Sequence, residues 1–316
     1  MTGVGARSLR WGVRVAVLAI FGVLLLRIGA APFVAGLQRL TGPAVLAAAA
    51  LTGATTLLSA WRWTLISRAL GMPLPLRTAV SSYYRSQFLN SVLPGGVTGD
   101  LERGLRRTGA ARLHALRVVA WDRAAGQVVQ LAVLAAVLPL LGVPLLPAGA
   151  AVVLAAGVLI GVALLVRRGS RPGDGRLRRA AAAVRRDLRR IGTRPATLLA
   201  LVGASVLVAL MHASVFVLAA VLTGAPVDPL RLLPLALAVQ VAMAVPVGFG
   251  GLGPREGMAA VVFGGAGLGA AHGVSAAVAY GALALVAVLP GALSLATNWR
   301  PIRGIVAPPQ RARTGL

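Results

Sequence analysis

Apolar runs long enough to cross a bilayer recur along the chain, at 11–29, 44–67, 114–141, 148–166, 196–222, 231–248, 256–271 and 274–298. A hydrocarbon core about 30 Å thick needs about 20 predominantly apolar residues per helix. The pattern therefore predicts an all-α, polytopic membrane protein of about eight transmembrane helices. The seventh run is short and opens on a glycine-rich motif. The stretch 74–93 is interrupted by Arg77 and Arg85 and reads as an interfacial or re-entrant helix.

Polar positions inside these runs fall on single helical faces. Thr52, Thr55, Thr56, Ser59 and Arg62 follow i, i+3, i+4, i+7 spacing and form one stripe. Such a stripe is unsuited to lipid. It either packs against another helix or lines a polar space, and Arg62, between Trp61 and Trp63, either joins it or snorkels to the interface. In the next run Arg123, Gln127 and Gln130 share a face, directly after Asp122. An arginine at the centre of a span costs roughly 2.5–3.5 kcal/mol on insertion scales. Asp122 and Arg123 thus form either a buried structural pair or part of a charged cavity wall. His212 and Gln240 lie within later spans, where hydrogen bonding between helices is the simplest use of both. Gly265 and Gly269 have the spacing of a helix-packing seam.

Two motifs break the apolar pattern. The first is Leu93-Pro94-Gly95-Gly96-Val97-Thr98-Gly99-Asp100-Leu101-Glu102-Arg103. The second is Val245-Pro246-Val247-Gly248-Phe249-Gly250-Gly251-Leu252-Gly253-Pro254-Arg255-Glu256. Both contain Pro-x-Gly-x-x-Gly followed by an arginine and a carboxylate, and they hold three of the chain's 7 acids. Broken helices and charges at membrane depth belong beside protein or a watery cavity. Glycine N–H groups at a helix start can cradle an anion, and Arg103 and Arg255 would complete a phosphate clamp. The competing reading is two tight turns with nearby charges.

Composition adds orientation. The net charge is +25, and all 32 basic residues are arginine. In a chain that is 58% hydrophobic with mean hydropathy +0.84, this charge describes topology rather than nucleic-acid binding. Arginines crowd alternate loops, chiefly 68–112 and 167–194, and both termini. The positive-inside rule then places both termini and both motifs on the cytoplasmic side of the cell membrane. Residues 1–300 read as one polytopic membrane domain and 301–316 as a disordered cytoplasmic tail. The first apolar run, ending on Arg27, reads as an uncleaved anchor rather than a signal peptide. The alanine-rich centre of the 167–195 loop, flanked by arginines, reads first as a positive-inside determinant and nothing else, and alternatively as a short amphipathic helix on anionic lipid. No cysteine, no P-loop and too few His, Asp or Glu for a metal cluster leave no cofactor to expect.

Taken in order, Arg62, Asn90-Ser91-Val92-Leu93-Pro94, Gly99-Asp100-Leu101-Glu102-Arg103, Asp122-Arg123 and Gly250-Gly251-Leu252-Gly253-Pro254-Arg255-Glu256 resemble the motifs of the lysylphosphatidylglycerol synthase transmembrane region, also called the flippase-like membrane domain. The resemblance covers roughly residues 10–300. It implies a lipid-handling domain; in bifunctional members that domain translocates aminoacylated phosphatidylglycerol made by a separate soluble domain. It also implies a substrate site built from Arg62, Asn90, Pro94, Gly99, Asp100, Arg103, Asp122, Arg123, Gly251, Gly253, Arg255 and Glu256. Thr98 and Tyr280 depart from the family pattern, which commonly has a glycine and an arginine at these places. The expectation is a non-enzymatic translocase for an anionic or aminoacylated phospholipid or another lipid-linked envelope precursor, served by a separate lipid-modifying enzyme. The alternatives are a polyprenyl-phosphate glycosyltransferase using Asp100 and Glu102 as a metal-binding pair, and a non-transporting accessory subunit of envelope synthesis.

Overall fold

The computed structural model describes residues 31–93, 97–105, 110–140, 175–243 and 253–297. The expected spans 11–29 and 148–166, the tail 301–316, and the motif residues Pro94 and Gly251 lie outside them. The described residues contain no strand. A short helix α1 (Ala31–Gln38) leads into the long α2 (Gly42–Ala69). Helix α3 (Leu76–Val92) and the eight-residue α4 (Thr98–Leu105) flank the first motif, and α5 (Ala110–Leu140) follows. Then come α6 (Gly175–Gly192), α7 (Pro195–Leu222), α8 (Pro229–Met243), α9 (Pro254–Gly265), α10 (Ala270–Ala287) and α11 (Pro290–Thr297).

Three stretches among the described residues are long and apolar enough to cross a membrane: Gly42–Ala69, Pro195–Leu222 and Ala270–Leu295. Helix α5 has 31 residues, about 46 Å at 1.5 Å per residue, but carries Asp122 and Arg123. The run expected as a span at 256–271 is different. Helix α9 has only 12 residues, about 18 Å, too short to cross alone. Pro254 starts it, and Gly267 and Gly269, at φ 75° and 86°, end it in conformations that side chains resist. Gly265 and Gly269 therefore lie either side of a turn, not on one helical seam. Likewise 231–248 is represented by the 15-residue α8.

Small residues let these helices approach closely. A Cβ on Gly273 of α10 would stand 2.3 Å from the Ala259 carbonyl oxygen of α9. One core gathers α7 to α10 around Phe216, whose ring lies 6.2 Å from Phe263 and 5.5 Å from Tyr280. A second joins α2, α5 and α7 through Trp63, Ile66, Val118 and Leu201. In the arginine-rich loop the alternative reading, a helix, is realised as the 18-residue α6. Its buried Asp187 accepts hydrogen bonds from Arg117 Nη2 at 2.5 Å and Trp121 Nε1 at 2.9 Å, tying it to α5. In between, α2, α3, α5 and α7 turn polar faces toward one another.

Candidate functional site

The threonine stripe of α2 is buried throughout, with Thr52, Thr55, Thr56 and Ser59 all inside the protein. Thr56 donates to Gln87 of α3 at 2.9 Å. At its end Arg62, 5% exposed, turns inward instead of snorkelling. Its Nε donates to Asp122 Oδ1 at 2.9 Å and its Nη1 to Ser205 Oγ at 3.0 Å. Gly126, one turn beyond Asp122, leaves room: a Cβ there would stand 3.0 Å from Arg62 Nη1.

Asp122 is wholly buried and serves three donors. Besides Arg62 it accepts from Arg103 Nη2 at 3.3 Å and from the Tyr83 hydroxyl. Asp100, at the start of α4, is equally engaged. Its Oδ1 accepts from Ser86 at 3.1 Å and Arg103 at 3.0 Å, and its Oδ2 from Asn90 at 3.0 Å. Arg123 Nη2 pairs with the same Oδ2 at 2.5 Å. Arg103 lies between aromatic rings, its guanidinium carbon 4.5 Å from the Trp63 centroid and 4.1 Å from that of Tyr83. Its Nε and Nη1 have no hydrogen-bond partner among the described residues, and the ring faces offer cation–π attraction instead. Asp100 thus pairs with Arg103 and Arg123, and Asp122 with Arg62 and Arg103.

Gly99 and Gly253, the described glycines of the two motifs, are used differently from the expected anion cradle. The Gly99 N–H donates to Asn90 Oδ1 at 2.8 Å, and the Gly253 N–H to Glu256 Oε2 at 2.7 Å. Both donors are satisfied inside the protein, as backbone at membrane depth requires. Gly99 also permits contact with α3: a Cβ would stand 2.1 Å from the Ser86 carbonyl oxygen. In the second motif Glu256 is fully buried. Its Oε1 takes Arg255 Nε at 3.0 Å and Nη2 at 2.5 Å, so one carboxylate caps α9 and neutralises Arg255.

Asp100 and Glu102, two residues apart on α4, do not face each other. Asp100 joins the central cluster, whereas Glu102 accepts from Arg85 Nε at 3.3 Å. That separation gives the pair no shared metal-binding point. Arg85, only 1% exposed, is a buried partner that the sequence marked merely as an interruption.

These helices enclose a cavity of about 330 Å³. Arg62, Arg123, Asp100 and Asn90 line it, as do Gln127 and Gln130. Arg103 and Arg255 do not, so the anticipated joint clamp of these two arginines is not assembled there. Each instead stacks on a tyrosine that does line it: Arg103 on Tyr83, and Arg255 on Tyr280 at 5.7 Å. Gly281 accommodates Arg255, since a Cβ there would stand 2.2 Å from its Nη2. Ser205, Tyr83, His212, Gln240 and Tyr280 also line it. Of these, His212 and Gln240 were visible as polar residues within spans. His212 faces the cavity while its Nδ1 lies 3.0 Å from Val208 O of its own helix, rather than joining two helices. Tyr83 and Ser205 carried no local signal.

No curated protein matches the chain. The family model of the lysylphosphatidylglycerol synthase TM region matches residues 11–291, a range that takes in both motifs, the Asp122–Arg123 pair and all of the described residues that line the cavity. With its apolar spans wrapped around this buried charged cluster, the chain is a multi-pass membrane protein and belongs to the lysylphosphatidylglycerol synthase transmembrane-region family.

Proposed function

We propose that the protein is a translocase of the cell membrane for an anionic, phosphodiester-bearing lipid, acting without chemical change to its cargo. The observation that carries this reading is the pair of guanidinium groups on the cavity wall. Arg62 and Arg123 both line the cavity, and the Arg123 side chain is 37% exposed. A phosphodiester is an anion whose oxygens guanidinium binds in a fork. Asp100 and Asp122 hold the arginines in place, so the headgroup meets a preformed site.

The family membership supports a membrane lipid-related role, and the arginine distribution supports cytoplasmic termini. A soluble or membrane enzyme acting upstream would supply the lipid. The test is transport in vesicles reconstituted with the purified chain. Labelled anionic phospholipid should cross between leaflets faster than in protein-free vesicles, with no new compound on lipid mass spectrometry. Arg123→Gln should slow that movement at least tenfold while leaving the protein folded. A new glycolipid formed by this chain alone, or transport indifferent to Arg123, would overturn the proposal.

A further inference from the structure

The cavity has two chemically distinct ends. At one, Arg62 meets Ser205 and Asp122, and Arg123 meets Asp100. Seven residues further along α5 stands Gln130, and seven further along α7 stands His212, each about 10 Å away at 1.5 Å per residue. Helix α2 brings Thr52 to the same end, ten residues before Arg62. Gln130 Nε2 reaches Gln240 Oε1 at 3.5 Å, which places α8 there too. Tyr280 joins them, 5.5 Å from Phe216, one turn past His212.

No charged side chain among the described residues lines this second end; the mutually paired Arg255 and Glu256 stand behind Tyr280. Asp100 is the one carboxylate on the cavity wall among the described residues, and it belongs to the first end. The second end nevertheless has hydrogen-bonding capacity to spare. Gln240 is 7% exposed, and its Nε2 has no partner among the described residues. A buried amide donor left unmet is costly. His212 Nδ1 lies 3.0 Å from the Val208 carbonyl oxygen, so the proton sits on Nδ1 and Nε2 is an acceptor. Donor and acceptor together suit a hydroxyl, which is both. An ammonium is donor-only and calls for a carboxylate, which this end lacks.

We infer that the cavity selects a phosphodiester lipid whose headgroup is an uncharged polyol or single sugar, and discriminates against an aminoacylated one. The phosphate occupies the Arg62–Arg123 end, and the hydroxyls occupy Gln127, Gln240 and His212. At about 330 Å³ the space is at the small end of ligand pockets, sized for one headgroup rather than an oligosaccharide. This inference rests on the anionic-lipid reading above and narrows it.

The experiment is native mass spectrometry of the purified full chain in detergent. Four probes with identical acyl chains are titrated: phosphatidylinositol, phosphatidylmethanol, lysyl-phosphatidylglycerol and phosphatidylcholine. Phosphatidylmethanol keeps the phosphodiester charge and removes the hydroxyls. Two to three net hydrogen bonds, each at the weak end of the usual range, correspond to about tenfold in affinity. Phosphatidylinositol should therefore bind about tenfold more tightly than phosphatidylmethanol, and lysyl-phosphatidylglycerol more weakly than either. Gln240→Leu and the half-buried Gln127→Leu should each erode the inositol preference while leaving phosphatidylmethanol affinity within twofold; the second variant guards against a folding defect in the first. Arg123→Gln should weaken phosphatidylinositol and phosphatidylmethanol alike. Equal binding of these two, a preference surviving in both glutamine variants, or tightest binding of the lysyl lipid would overturn the polyol inference alone. Failure of both net-anionic lipids to exceed zwitterionic phosphatidylcholine would overturn the anionic-lipid reading and this inference with it.

Discussion

Asp122→Asn tests the charged cluster most directly, because it changes charge and almost nothing else. Asp122 is wholly buried, and its partners Arg62 and Arg103 have side chains only 7% and 1% exposed. Solvent screening is therefore minor. Two magnitudes compete. A neutral hydrogen bond between membrane helices averages about 0.6 kcal/mol. Removing one partner of a buried ion pair costs about 3–5 kcal/mol, because the remaining charge is left uncompensated. In the variant Arg62 would lose its carboxylate partner and Arg103 one of its two, so the second figure applies. Equilibrium unfolding in mixed micelles should show a loss of about 3–5 kcal/mol. Arg62→Gln combined with Asp122→Asn should cost less than the two separate losses added, with coupling of about 0.5–3 kcal/mol. A loss near 0.6 kcal/mol, or strict additivity, would refute the reasoning and reduce Asp122 to an ordinary polar contact.

Two further outcomes follow from geometry and charge. Gly281→Ala should destabilise by about 1–3 kcal/mol through overpacking against Arg255, whereas Gly203→Ala, with open space around its Cβ, should not; the same unfolding assay compares them. Cysteine introduced at the exposed Thr193 should resist an impermeant thiol reagent in intact cells and react in inverted vesicles, as arginine asymmetry requires; ready labelling from outside would reverse the orientation.

What the sequence determined by itself was class, faces and candidate chemistry. Long apolar runs demand a helical membrane protein, since backbone groups in lipid must be satisfied within the segment. Helical periodicity alone put Thr52, Ser59 and Arg62 on one face and Arg123, Gln127 and Gln130 on another; these six all line the cavity. The ordered glycine and acidic motifs carried the family. Periodicity says which face is polar but not which helix it meets, so the pairings were left to the tertiary structure. Packing alone decided that Arg62 joins Asp122, 60 residues away, and Ser205, 143 residues away. It also set Arg103 and Arg255 behind tyrosines that line the cavity. It gave the Gly99 and Gly253 N–H groups to Asn90 and Glu256, and shortened the run at 256–271 to a 12-residue helix. The physical reason is common to these cases. In an apolar environment a charge or a backbone donor must find its partner inside the protein. Which partner is nearest depends on how distant helices cross, and no local pattern records it.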